Sequence, residues 1–181
     1  MAHYAMAMLR RSQKRLSEAR IAAERAVILD HNHSAALCEL GLVHLYLGHP
    51  AVAIAHIEKA IRLSPRDPML DEWYVDKASA HLGLKQYDQA IEWARRTIAT
   101  SPNNWDAHRK LVAALALTGQ DSEAHDALQR YLALRDDHAP KSIWELNQER
   151  AQFVNGNTDP RYVEYWDRLI EGMRKAGLPE A

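Results

Sequence analysis

Residues 34–65 read Ser34-Ala-Ala-Leu37-Cys38-Glu-Leu40-Gly41-Leu42-Val-His44-Leu-Tyr46-Leu-Gly48-His-Pro50-Ala-Val-Ala53-Ile-Ala-His-Ile57-Glu-Lys-Ala60-Ile-Arg-Leu-Ser64-Pro65. Leu37, Leu40, Gly41 and His44 stand at i, i+3, i+4 and i+7, the spacing of one helical face. Ala53, Ile57 and Ala60 do the same further on, and Gly48-His49-Pro50 breaks the chain between the two runs. The segment therefore predicts two helices joined by a tight turn. Gly41, Ala53 and Ala60 are too small to fill a core, but they let paired helices approach closely. Such a hairpin has to be covered by others like it.

The others are present. Ser17-Glu18-Ala19-Arg20-Ile21, Val52-Ala53-Ile54-Ala55, Asp88-Gln89-Ala90-Ile91 and Ser122-Glu123-Ala124-His125 recur at spacings of 34, 37 and 34 residues. A small or apolar residue follows each shared alanine at +4 (Ala23, Ile57, Ala94, Leu128) and another residue recurs at +7 (Ala26, Ala60, Thr97, Tyr131). Upstream, Tyr74, Lys77-Ala78 and His81 precede Ala90, and His108, Leu111-Val112 and Leu115 precede Ala124, in the register of Leu37, Leu40-Gly41 and His44.

This pattern resembles the tetratricopeptide repeat over about residues 1–138, and the 34–65 unit is the nearest match. His44 and His81 stand where that family prefers tyrosine, Lys77 replaces a leucine, and Asp136 stands in place of a proline. The resemblance implies an all-α, right-handed α-solenoid of about four helix pairs, with repeats at about 1–33, 34–67, 71–104 and 105–138. The spacing predicts helices over 2–13 with 17–30, 34–47 with 50–63, 69–82 with 87–100, and 104–117 with 121–135. Turns fall at Gly48-His49-Pro50, Gly83–Gln86 and Gly119-Gln120, and Ser34, Asp67-Pro68 and Asn104 are the expected caps.

Beyond residue 138 the period stops. Ser142-Ile143-Trp144-Glu145 is a capping-box signature for a helix to about residue 154, ended by Asn155-Gly156-Asn157. Asp159-Pro160 opens a last helix with the apolar stripe Tyr162, Val163, Trp166, Leu169, Ile170 and Met173, ended by Gly177 and Pro179. Residues 139–181 are thus expected to form two capping helices. At the other end Met6, Met8 and Leu9 are expected to lie partly uncovered. That points to a fragment of a longer chain, a partner, or a homodimer through the uncapped first repeat.

Lys and Arg number 23 against 24 Asp and Glu, for a net charge of −1, which gives no general attraction to nucleic acid or to an anionic membrane. Leu40–Leu47 and Leu111–Leu117 are too short to span a bilayer, and residues 1–11 lack a signal-peptide order. The single cysteine, Cys38, allows no internal disulfide and fits the cytoplasm.

In a repeat stack the first helix of each pair lines the concave side. The expected partner-binding residues are Tyr4, Met8, Cys38, Leu42, Tyr46, Val75, Ser79, Arg109, Ala113 and Leu117, forming a mainly apolar groove with a basic contribution from Arg109 and Lys110. It suits an amphipathic helix or an extended apolar peptide, unless the chain's own C-terminal helix fills it. One sub-class of the family holds a C-terminal carboxylate with a Lys, Asn and Arg clamp. Here Tyr4, Met8, Glu39, Asp106 and Lys110 occupy the matching places, so that role is not implied.

No catalytic role, metal or cofactor is expected. His31-x-His33 is short, and His44 and His81, one repeat apart, read as core or half-exposed residues that could meet across the stack. There is no His-Glu-x-x-His, phosphate loop or nucleophile elbow. Cys38 reads as a buried or groove-lining thiol, and Asp71, Glu72 and Asp76 as a solvated helix face. Arg10-Arg11 and Lys14-Arg15 read as surface. The tail Leu169–Glu180 resembles C-terminal ends of bacterial signalling proteins in which such repeats follow a class III nucleotidyl cyclase or a winged-helix regulator domain. That resemblance implies a regulatory or dimerising arm as the alternative to a free-standing scaffold.

Overall fold

The structure, a computed structural model, describes residues 2–156 and 158–181. Met1, and Asn157 of the expected stop signal, lie outside the described residues. The described residues form ten helices: α1 Ala2–Ser12, α2 Leu16–Leu29, α3 Ser34–Tyr46, α4 Pro50–Leu63, α5 Leu70–Gly83, α6 Tyr87–Thr100, α7 Trp105–Leu117, α8 Asp121–Ala133, α9 Ile143–Phe153 and α10 Pro160–Ala176. Each of α1 to α8 packs on its neighbours in sequence, and α1, α3, α5 and α7 also touch one another in that order. This is the progressing stack of an α-solenoid.

Close helix contact follows from the small residues. Ala19, Ala53, Ala60, Ala78, Ala90 and Ala94 are fully buried between helices. A methyl group placed on Gly41 would stand 2.9 Å from Ile57 Cγ1 and 3.0 Å from the Ala53 carbonyl oxygen. Lys77 occupies its leucine position by burying its stem, while its Nζ bonds Glu58 at 2.7 Å and lies 3.9 Å from the Trp93 ring centre.

The four hairpin turns are alike. Lys14, Gly48, Lys85 and Gly119 all adopt a left-handed backbone, with φ of 61°, 76°, 60° and 76°. Their amides donate three residues back, to Arg11, Leu45, Leu82 and Ala116, at 2.9 to 3.3 Å. The following amides, of Arg15, His49, Gln86 and Gln120, donate five residues back to Arg10, His44, His81 and Leu115 at 2.8 to 3.0 Å. This paired closure satisfies the last carbonyls of each first helix. In the third repeat Lys85 takes the left-handed place. Gly83, expected in the turn, is instead the last residue of α5, and its carbonyl accepts from Arg168 Nη1 at 2.7 Å.

Two caps differ from expectation. His33 caps α3, its Nδ1 accepting from the Ala36 amide at 3.1 Å, and Ser34 is already helical. Asp67 accepts from the Met69 amide at 3.0 Å, and α5 starts only at Leu70. Asn104, Ser142 and Asp159 cap α7, α9 and α10 as read from the sequence.

The C-terminal pair does not simply extend the stack. α10 lies mainly along α7, with further contact to α5 and α8, so it crosses the concave side of the third and fourth repeats. The first two amides of α9, from Ile143 and Trp144, donate to the carbonyls of Pro179 and Glu180 at 2.7 and 3.0 Å. The end of the chain thereby supplies acceptors that a helix start lacks.

Candidate functional site

Between α3, α5 and α7 on one side and α9 and α10 on the other lies a cavity of about 430 Å³. Its array side carries Leu42, Tyr46, Asp76, Ser79, Asp106, Arg109 and Lys110. The C-terminal side is aromatic: Phe153 from α9, and Tyr162, Tyr165 and Trp166 from α10. Tyr46 joins the two, its ring centre 5.4 Å from that of Tyr162 and 6.0 Å from that of Phe153.

On the array side Asp106, Arg109 and Lys110 pair, joined by Glu149 of α9, and Asp76 takes no part in this set. Arg109 donates to Asp106 and, at 2.5 Å, to Glu149 of α9, while Lys110 Nζ donates to Asp106 at 2.5 Å. Burial works against the Asp106 charge, but Lys110 and Arg109 hold its carboxyl well below the usual range. Arg11 reaches across from α1 to grip both oxygens of Glu39, at 2.7 and 3.1 Å. No hydrogen bond or ion pair from a described residue reaches Asp76. Burial pushes its carboxyl up to about 7, with Lys110 and Arg11 pulling the other way.

Two tetratricopeptide-repeat family models match the chain, over residues 38–104 and 81–142. Together they span more than half of it. The chain belongs to the tetratricopeptide-repeat family. It is 29% identical over 92 residues to the small glutamine-rich tetratricopeptide repeat-containing protein 2 of Saccharomyces cerevisiae, which covers 51% of this chain and 26% of that protein. The chain therefore spans about a quarter of that relative's length. Among solved structures, a crystal structure of MamA superposes with a TM-score of 0.65 at 21% identity, covering 93% of this chain and 95% of that one. YrrB, described as a TPR protein with an unusual peptide-binding site, gives a TM-score of 0.65 at 18% identity over 96% and 86%. At these identities the likeness is one of fold.

Against this tetratricopeptide frame the expected groove residues fall into four groups. Leu42, Tyr46, Ser79 and Arg109 line the cavity. Cys38 and Val75 are buried, and burial raises the Cys38 thiol well above its usual range. Ala113 lies beneath α10, against Gly172, and Leu117 is half-buried beside the same core. Tyr4 and Met8 remain at the first repeat, where Tyr4 rests 5.3 Å from the His33 ring.

The groove's expected character changes with this arrangement. Arg109 and Lys110 are already neutralised, so they add no free positive charge. Asp76 faces the cavity rather than solvent, because α7, α9 and α10 close over the face that helical spacing alone leaves open. Asp71 also leaves the solvated face, accepting from Ser101 Oγ at 2.5 Å. The aromatic wall was visible only as the apolar stripe of a capping helix.

The histidines do not meet across repeats. His44 packs within its own repeat, 5.6 Å from the His56 ring and 5.7 Å from that of His49. His81 is held at Nδ1 by Gln86 Oε1 at 2.7 Å. Among the described residues no three His, Cys, Asp or Glu side chains are grouped to hold a metal ion. Of the early basic run only Arg11 reaches inward, to Glu39; Lys14 and Arg15 stay exposed as expected, Lys14 Nζ lying 3.4 Å from the Phe153 ring centre and Arg15 bonding Glu18. Among the described residues no helix is long and apolar enough to cross a membrane.

Proposed function

We propose that this protein is an interaction scaffold, without chemistry of its own, that takes a short polypeptide segment into the concave cavity between its repeats and its C-terminal helices. The observation that carries this reading is the cavity itself. It is about 430 Å³, within the range of ligand pockets, and is lined by apolar, aromatic and paired polar groups together. Because α10 occupies the concave side of the last two repeats, the proposed site is the remaining part, around Leu42, Tyr46 and Ser79. The family's binding habit and the peptide site ascribed to YrrB support it. A single, buried thiol is in keeping with a reducing, cytoplasmic setting.

Leu42→Arg places a long charged side chain in the cavity from a half-buried position. Capture of partner from native extract should fall at least tenfold while the far-UV spectrum stays helical. Full capture by a folded Leu42→Arg variant ends this reading.

For the first repeat we infer a second copy as the occupant. Met6, Ile21 and Ile28 line an open apolar groove and are 43%, 61% and 59% exposed. Its rim carries charges of both signs, Arg10 and Arg25 beside Glu18 and Glu24, and so bears no single-sign charge that would repel a second copy. Sedimentation should show a dimer that Ile21→Glu converts to monomer. A wild-type monomer at high concentration removes this partner.

A further inference from the structure

We propose that the concave cavity is a receptor for a cationic side chain, a lysine or arginine of the bound polypeptide, held between the Asp76 carboxylate and the aromatic wall of α9 and α10. The inference rests on the concave cavity being a polypeptide site and names what that site selects.

Charge accounting comes first. The two cations lining the cavity, Arg109 and Lys110, are bound to Asp106 and Glu149. Arg11, which acts on Asp76 from α1, is bound to Glu39. Among the described residues Glu72, also lining the cavity, receives only Asn104 Nδ2, at 3.5 Å. The cavity therefore holds carboxylate capacity without a matching cation.

The wall adds to the selection. Tyr46, Phe153, Tyr162 and Trp166 bring aromatic rings to the same cavity, beside the contacts they make with one another and with Arg11, Lys14 and Arg109, and ring faces attract ammonium and guanidinium groups. The protein already uses this contact nearby, with Lys14 over Phe153 and the Arg109 guanidinium 4.8 Å from the Trp105 ring centre.

The alternatives fit worse. An acidic side chain would meet Asp76 and Glu72, while Arg109 and Lys110, the two cations lining the cavity, are already paired. An apolar one would take water from the Asp76 carboxylate and return nothing, which is costly for a charged group. A lysine or arginine supplies the missing donors while laying its methylenes along the rings.

The test uses the full chain and a panel of octapeptides, acetylated and amidated at their ends, that differ only at a central lysine, arginine, glutamine, norleucine or glutamate. Binding is read from the fluorescence of Trp105 and Trp166, both in the cavity lining. At pH 8 the lysine or arginine peptide should bind at least tenfold tighter than the glutamine and norleucine peptides. Asp76→Asn should shrink that preference below threefold. Lowering the pH below 7 should act in the same direction, by protonating Asp76. The charged groups around Asp76 are Glu72 on its own helix, Arg11 of α1, Asp106 and Lys110 of α7, and Glu149 of α9. Equal affinity for the lysine and norleucine peptides, or an Asp76→Asn variant that keeps the preference, overturns the inference and leaves the scaffold reading standing. Absence of binding by every peptide overturns both.

Discussion

Gly172 of α10 sits directly on Ala113 of α7. A methyl group on that glycine would come within 2.5 Å of the Ala113 carbonyl oxygen and 2.7 Å of its Cα. Two helix backbones meet here as closely as a missing side chain permits. The contact fixes where the aromatic wall stands, because Tyr165, Trp166 and Leu169 precede Gly172 on the same buried face.

Gly172→Leu should therefore unseat α10. Forcing a large side chain into such a contact costs about 1–3 kcal/mol or more. Denaturant unfolding should show that loss, and Trp166 emission should shift red as the wall opens. An unchanged emission maximum would mean that α10 is not held by this contact.

Within the array, Gly41→Phe and Ala53→Trp act on the α3–α4 pair, where Ala53 and Ile57 are fully buried. Each should destabilise by about 3 kcal/mol or more, since the backbone on the other side cannot yield. Urea titration followed by circular dichroism measures it. Ala51→Ser, on the exposed side of α4, is the control and should change little.

Lys85→Gly should stabilise the protein by about 0.5–1 kcal/mol. The residue is exposed and left-handed, a conformation that strains any side chain, while Gly48 and Gly119 take the same place in two sister turns without strain. A thermal shift of a few degrees upward checks it. A downward shift would show that the lysine side chain contributes more than its backbone costs.

Two sets of groups set opposite pH responses. Burial lowers the pKa of His44, His56 and His81, with His56 and His49 adding to the effect at His44. These rings fold neutral, so the stability they contribute is complete above the unfolded value near 6.5 and is lost as pH falls through their lower folded values. Asp76 behaves the other way. With its folded pKa raised to about 7, its unfavourable contribution is absent below the unfolded value near 4, grows as pH rises, and levels off above 7. Asp76→Asn should thus leave stability near pH 4 unchanged and raise it at pH 8 by about 2–3 kcal/mol, less than the full shift because the cavity is open to water. Unfolding curves at both pH values decide this. Equal gains at pH 4 and pH 8 would assign the effect to packing.

The helices of the array were legible because period, small residues and breakers agree in each repeat. The left-handed turn at Lys85 was not, since lysine carries no signal for that backbone and Gly83 two residues earlier does. The concave side was half legible. Helical offset placed Leu42, Tyr46, Ser79 and Arg109 on one surface, but it says nothing of what lies across from them. α10 comes from more than 40 residues beyond α7 and covers Ala113, a long-range contact that no local pattern encodes. The same closure turned Asp76 from a surface acid into a cavity acid.

The buried clusters are unequal along the stack. From the third repeat onward the apolar interior is one continuous body that includes α9 and α10, whereas the buried cluster at the first repeat is small, Ala7, Ala22 and Ala23 against Leu40. In a linear array each unit is secured by its neighbours alone. Melting should accordingly start at α1 and α2 and travel inward, with amides there exchanging long before those of α7. The end bearing the open apolar groove is also the soft end, so pairing of two copies there would stiffen the molecule where it is weakest.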